Sequence, residues 1–138
     1  MSVALEVQKA IRARLVASSV ITDDVPPGSI LDRNQRPAPT PSIIIGEAQA
    51  VDDGESIARR RTRVWHTIHV WKKEPSLAGA NEIAGNIRQV IQWKRPDLGA
   101  GLHCIDCFVS GIRTVRDPDG ETSHAIVTVE ALVLEVPQ

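Results

Sequence analysis

The stretch from Thr62 to Lys72, TRVWHTIHVWK, decides the fold. Side chains alternate along it with period two, as they do on a strand that presents one face to a core. Val64, His66, Ile68 and Val70 share one face, while Arg63, Trp65, Thr67, His69 and Trp71 share the other.

Working outward, the preceding segment from Ser42 to Ala50 opens on Ile43-Ile44-Ile45 and reads as a partner strand. Asp52-Asp53-Gly54-Glu55 is a turn signal, and the second strand resumes near Arg61. The run Ser56-Ile57-Ala58-Arg59-Arg60-Arg61 therefore forms a long, partly basic hairpin tip. On the other side, Glu74-Pro75-Ser76 stops the strand and caps a helix over about Leu77 to Trp93. Its buried stripe is Ala80, Ile83, Ala84, Ile87, Val90 and Ile91. The last third reads as a hairpin, with strands over about Leu102 to Arg116 and Glu121 to Val136. Asp117-Pro118-Asp119-Gly120 joins them, with Pro and Gly where a tight turn wants them.

The chain starts with a helix over Val3 to Ala17, capped by Ser2, in which Val3, Val7, Ile11 and Leu15 repeat every four residues. Ser18 to Pro41 is a long irregular connection in which only Ser29-Ile30-Leu31 can pair as a short strand. Long loops of this kind are uncommon in compact domains and often functional. Its prolines lower the entropy lost on docking, so the segment reads as an arm. The expected fold class is α+β: an antiparallel β-sheet with two α-helices packed on one face, a long proline-rich loop and a long β-hairpin. A single domain over 1–138 is expected.

Composition narrows the function. The 138 residues carry a formal net charge of −1, so no global basic field recruits nucleic acid. Three Trp, one Phe and no Tyr make a poor base-stacking platform. The opening MSVALEVQKAIRARL is interrupted by Glu6, Lys9, Arg12 and Arg14, unlike a signal peptide, and no run approaches the ~20 apolar residues of a membrane span. A soluble, cytoplasmically made protein is expected, with its two cysteines reduced and no membrane contact.

Leu102 to Cys107, LHCIDC, is the most chemical-looking stretch. Regular strand parity sends His103 and Cys107 to one face and Cys104 and Asp106 to the other. On that geometry the cysteines can form neither a redox pair nor a shared zinc site, and two reduced structural thiols are expected. A metal site on His103, Cys104, Cys107 and a distant His is the competing reading. Asp117-x-Asp119-Gly120 resembles a calcium loop only superficially, since its flanks are strands and later ligand positions do not fit. Arg59, Arg60, Arg61 and Arg63 can touch phosphate, but a short run on a hairpin tip more often forms a solvated or ion-paired surface. His69 lies between Trp65 and Trp71 on one strand face, which fits either packing beneath a helix or an interface. No nucleophile elbow, phosphate loop or carboxylate pair stands out, so no catalytic residue and no cofactor is assigned.

In order, "VQKAIRARL", "PSIIIGEAQA", "HTIHVWKK", "AGANEIAGNIRQVI" and "RTVRDPDGETSHAIVTVEALV" resemble the tail-completion, or tail-terminator, family of long-tailed phages. The family also resembles components of phage-derived gene-transfer particles. The chain departs from it at Pro41-Ser42, where an aromatic or larger apolar residue often follows the proline. The resemblance implies a non-enzymatic structural protein of the virion or virus-like particle, assembled in the host cytoplasm. It implies a homohexameric ring that ends the tail tube and meets the head-completion or neck protein, with DNA passing unread through the lumen. Another neck component, such as a head–tail stopper, is the alternative within this class. Candidate contacts to neighbouring copies, tube protein or neck protein are Arg59, Arg60, Arg61, Arg63, Trp65, His69, Trp71, Pro37 and Pro39.

Overall fold

A computed structural model describes residues 1–33, 39–54, 57–99 and 101–136. The elements are α1 (Val3–Ala17), α2 (Ser19–Thr22), β1 (Ile30–Leu31), β2 (Ser42–Asp52), β3 (Arg61–Lys73), α3 (Ala78–Trp93), β4 (Leu102–Arg116) and β5 (Thr122–Glu135). They build one five-stranded sheet in the order β1-β2-β3-β5-β4. The expected α+β class is what forms. All pairs are antiparallel except β1 with β2, which run parallel at Ile30↔Ile43 and Leu31↔Ile44, so the sheet is mixed.

The helices lie on one face because their apolar stripes and the inward residues of the strands solve the same problem of burial. Val7, Ile11 and Leu15 of α1 and Ala80, Ile83, Ile87 and Ile91 of α3 join Val64, Ile68, Val70, Ala125, Val127 and Val129 in one core. A fully buried aliphatic side chain of this kind contributes about 1.5–3 kcal/mol. Ser2 caps α1 by accepting from the Leu5 N–H at 3.1 Å. Ser76 and Glu74 accept from Ala78 and Gly79 at the start of α3, the strand-stop and cap that the sequence indicates. Arg14 of α1 donates to the carbonyls of Lys94 and Arg95, tying α1 to the chain leaving α3.

The Ser18–Pro41 connection is not an arm over its first part. Ile21, Val25 and Ile30 are fully buried in the core, and the Arg12 guanidinium donates to the Ile30 carbonyl at 3.1 Å. The prolines obscured this, because the apolar residues between them are too sparse to show a period. Pro39 is half-buried, and Pro37 lies outside the described residues. At Pro41-Ser42 there is a visible cost: Ser42 is fully buried and its hydroxyl has no partner among the described residues.

Candidate assembly surface

The opposite face of the sheet carries none of these helices. Trp65, Thr67, His69 and Trp71 of β3 and His124, Ile126, Thr128 and Glu130 of β5 form its middle and are all half-buried. Of the two fates open to Trp65, His69 and Trp71, packing beneath a helix is therefore not what the structure shows. Their partly covered state comes from one another.

Two polar clusters organise this face. In the first, the Glu130 carboxylate accepts from Arg63 Nη1 at 2.7 Å through one oxygen and from Trp65 Nε1 at 2.9 Å through the other. Arg63 also donates to Asp53 at 3.3 Å, and Arg61 pairs with the second oxygen of Asp53 at 3.3 Å. Hydrogen bonds and charge from Glu130 and Asp53 raise the Arg63 pKa against the opposing effect of burial. Arg59 pairs with Asp52 at 2.7 Å. Three of the four tip arginines thus have their charge answered by the hairpin's own acids or by Glu130, and Arg60 is exposed. That arrangement disfavours phosphate binding, which needs cations whose charge is not already answered.

In the second cluster a ring N–H bridges His69 Nδ1 and His124 Nε2 at 2.8 Å, and Trp71 stacks on His124 with ring centroids 3.7 Å apart. Glu47 approaches His69 Nε2 at 3.4 Å. A bulge in β2 between Ile45 and Ala48 makes room for this, and Gly46 is required there. A Cβ on Gly46 would come within 2.9 Å of the His69 ring and 3.3 Å of the Thr67 carbonyl. Burial, followed by the neighbouring His69, holds the His124 pKa below its ordinary value.

His66, on the core side of β3, is fully buried and donates from Nε2 to the Ala4 carbonyl at 3.0 Å. Its Nδ1 is buried without a partner among the described residues. Burial lowers its pKa, because a proton on Nδ1 would find no acceptor.

The reading of LHCIDC needs correction. A bulge between Cys104 and Asp106 inserts a residue and resets the alternation, so Cys104 pairs with Val133 and Cys107 with Ala131. Both partners face the core, and both thiols lie buried on the same side. The Cys104 thiol donates to the Asp106 carbonyl at 3.2 Å, and the neighbouring Cys104 thiol together with burial pushes the Cys107 pKa up. His103, opposite Leu134, turns to the bare face, across the sheet from both thiols. Among the described residues no group of three His, Cys, Asp or Glu side chains is placed to hold a metal ion. In the Asp117–Gly120 turn, Asp119 accepts from the Glu121 and Thr122 backbone at 2.8 and 2.9 Å and from the Thr122 hydroxyl at 2.8 Å. These bonds, that of Glu121 first, lower its pKa and consume its oxygens within the turn.

One surface feature escaped sequence reading. Trp93, at the end of α3, is 84% exposed and borders an open groove of about 490 Å³ with Val20, Val90 and Arg14. In the sequence it simply follows an apolar helical pattern, which gives no sign that the helix ends before the ring is covered. No helix among the described residues is long and apolar enough to cross a membrane.

The chain and its fold meet a defined class of protein. The family model for tail completion protein gp17 matches residues 9–134, and the chain belongs to that family of structural tail-completion proteins. A chain in the virion of a native gene transfer agent particle has a similar fold, with a TM-score of 0.80 at 17% identity, covering 96% of this chain and 98% of that one. The bacteriophage SPP1 gp17 protein is also similar, with a TM-score of 0.62 at 19% identity, covering 93% and 88%. Comparison with curated proteins finds no match. As a member of that family, the chain is a tail-completion protein.

Proposed function

We propose that this protein closes into a homohexameric ring at the head-proximal end of the tail tube, stops tube growth and presents a surface to the head-completion or neck protein. The family match over residues 9–134 carries this reading. The fold supports it, since a small core with a long hairpin and a bare sheet face leaves much of its surface for partners. DNA passes through the lumen without being read. The self-paired arginines and the net charge of −1 suit such a conduit, because each phosphate neutralised would add affinity and slow passage. The role is structural, with assembly in the host cytoplasm.

The test is a capping assay. Purified protein added to polymerising tube protein should shorten the tubes and be found at one end of each. A head–tail stopper would instead bind portal connectors and leave tube length unchanged, and that outcome would overturn the proposal.

A further inference from the structure

The two edges of the sheet differ, and their difference specifies how one copy meets the next. β1 covers β2 only at Ile43 and Ile44. Beyond them Ala48, Gln49, Ala50 and Val51 are exposed and have no outer partner strand among the described residues. This stretch lacks the lysine, proline or inward charge that usually protects an edge from pairing. On the far side, the first half of β4 is closed by the end of α3. Arg95 donates to the Ile105 carbonyl and Gln92 accepts from the Val109 N–H, both at 3.0 Å. In the second half α3 reaches only the Thr114 hydroxyl, which donates to Asn81 at 2.6 Å; among the described residues no side chain caps the outer backbone of Gly111 to Arg116, and Arg113 and Arg116 make no ion pair.

Building on the ring reading, we infer that the bare half of β2 in one copy pairs with the second half of β4 in the next, joining the sheets into a continuous barrel wall. Direction permits it. β2, β3, β5 and β4 alternate antiparallel, so β2 and β4 run opposite ways, and a neighbour related by rotation presents them antiparallel. The contact joins two different surfaces, as ring closure requires.

Side-chain parity and closure select the register. To keep the helices of successive copies on one side, Ala50 must pair with a core-side position of β4, of which Ile112 is one. Within a copy Ala50 is level, through Val64 and Ala131, with Cys107, whereas Ile112 is level with Val127. Ala131 to Val127 is a step of four residues along β5, or about 13–14 Å, taken across four strands that span about 19 Å. That stagger corresponds to a strand tilt of about 35°, within the range at which barrels close. Registers two residues shorter or longer would need about 20° or about 47°, outside the usual 35–45°. Six copies at this tilt enclose a barrel about 45 Å across between backbones, wide enough for duplex DNA.

The same stagger indicates which face is inside. The connection from β3 through α3 to the parallel strand β4 is a crossover, right-handed in about 98% of cases. With that hand, the offset tilts the strands in the sense of native sheet twist only when the helices are outside. Trp65, His69, Trp71 and the Arg63–Glu130 pair then line the lumen.

The experiment places cysteines at Ala50→Cys and Ile112→Cys in one chain and oxidises assembled particles and purified protein alike. The inference predicts a ladder of cross-linked species on a non-reducing gel. Each single variant, and Ala50→Cys with Arg116→Cys, should stay at background, because only the predicted pair brings the Cβ atoms to about 4–5 Å. A companion variant, Ala48→Lys with Ala50→Lys, should keep the wild-type circular dichroism and lose ring assembly at least tenfold. Assembled rings without the cross-link, or rings unaffected by the paired lysines, would overturn the edge pairing and leave the ring reading standing. Wild-type protein that never forms rings, alone or on tubes, would overturn both.

Discussion

The two faces of β3 are built from adjacent residues and obey different rules. Val64, His66, Ile68 and Val70 are fully buried beneath two helices, and their worth is apolar area removed from water. Arg63, Trp65, His69 and Trp71, interleaved with them, are only half-buried; the first three are held by polar partners on β5 and β2, and Trp71 by stacking on His124. The first face specifies the fold. The second is ordered without being covered, the state expected of a surface kept in shape for assembly.

The sharpest way to break this contrast is to truncate the covered face. Ile68→Ala should cost about 2–5 kcal/mol in denaturant unfolding, by lost transfer energy plus a cavity. A loss below ~1 kcal/mol would mean that the helices do not seal this face. On the bare face Glu130→Ala removes the acceptor of Trp65 Nε1 and leaves Arg63 with Asp53 alone, both where water can reach them, so about 1 kcal/mol is expected by the same measurement. A cost equal to that of Ile68→Ala would erase the distinction between the faces.

A smaller effect of opposite sign tests the rim of the core. Ser42 buries a hydroxyl with no partner among the described residues, so Ser42→Ala should stabilise the protein by about 0.5–1 kcal/mol, read as a raised denaturation midpoint. The last effect is a slope. The folded-state pKa of His66 lies below its ordinary 6.5, so the unfolded chain binds the proton more readily. The associated stability is complete above about pH 6.5 and is lost as pH falls below it toward the folded pKa. Urea midpoints taken from pH 7.5 down to 5 should therefore decline, and His66→Phe should flatten that decline.

Much of the fold was legible because its signals are local and periodic. The four-residue spacing of Val3, Val7, Ile11 and Leu15, the alternation of Thr62 to Lys72 and the Asp117–Gly120 turn each determine an element almost to its ends. What was not legible depends on exceptions to a period. The bulge before Asp106 flips the parity on which the two cysteines were assigned to opposite faces, and nothing in LHCIDC announces it. The parallel pairing of Ile30-Leu31 needs a long-range partner that no local pattern names. For the candidate surface, alternation identified Trp65, His69 and Trp71 as one set but left open what covers them. Their partners Glu130, His124 and Glu47 come from other strands and a second bulge, so only the assembled sheet brings them together.

The central claim is that this protein ends the tail. Particles made in cells lacking it, imaged by electron microscopy and measured for tail length, test that claim most directly. The account predicts tubes that run well past the normal length and lack heads, corrected when the wild-type chain is restored. Tails of normal length joined to heads in its absence would contradict it.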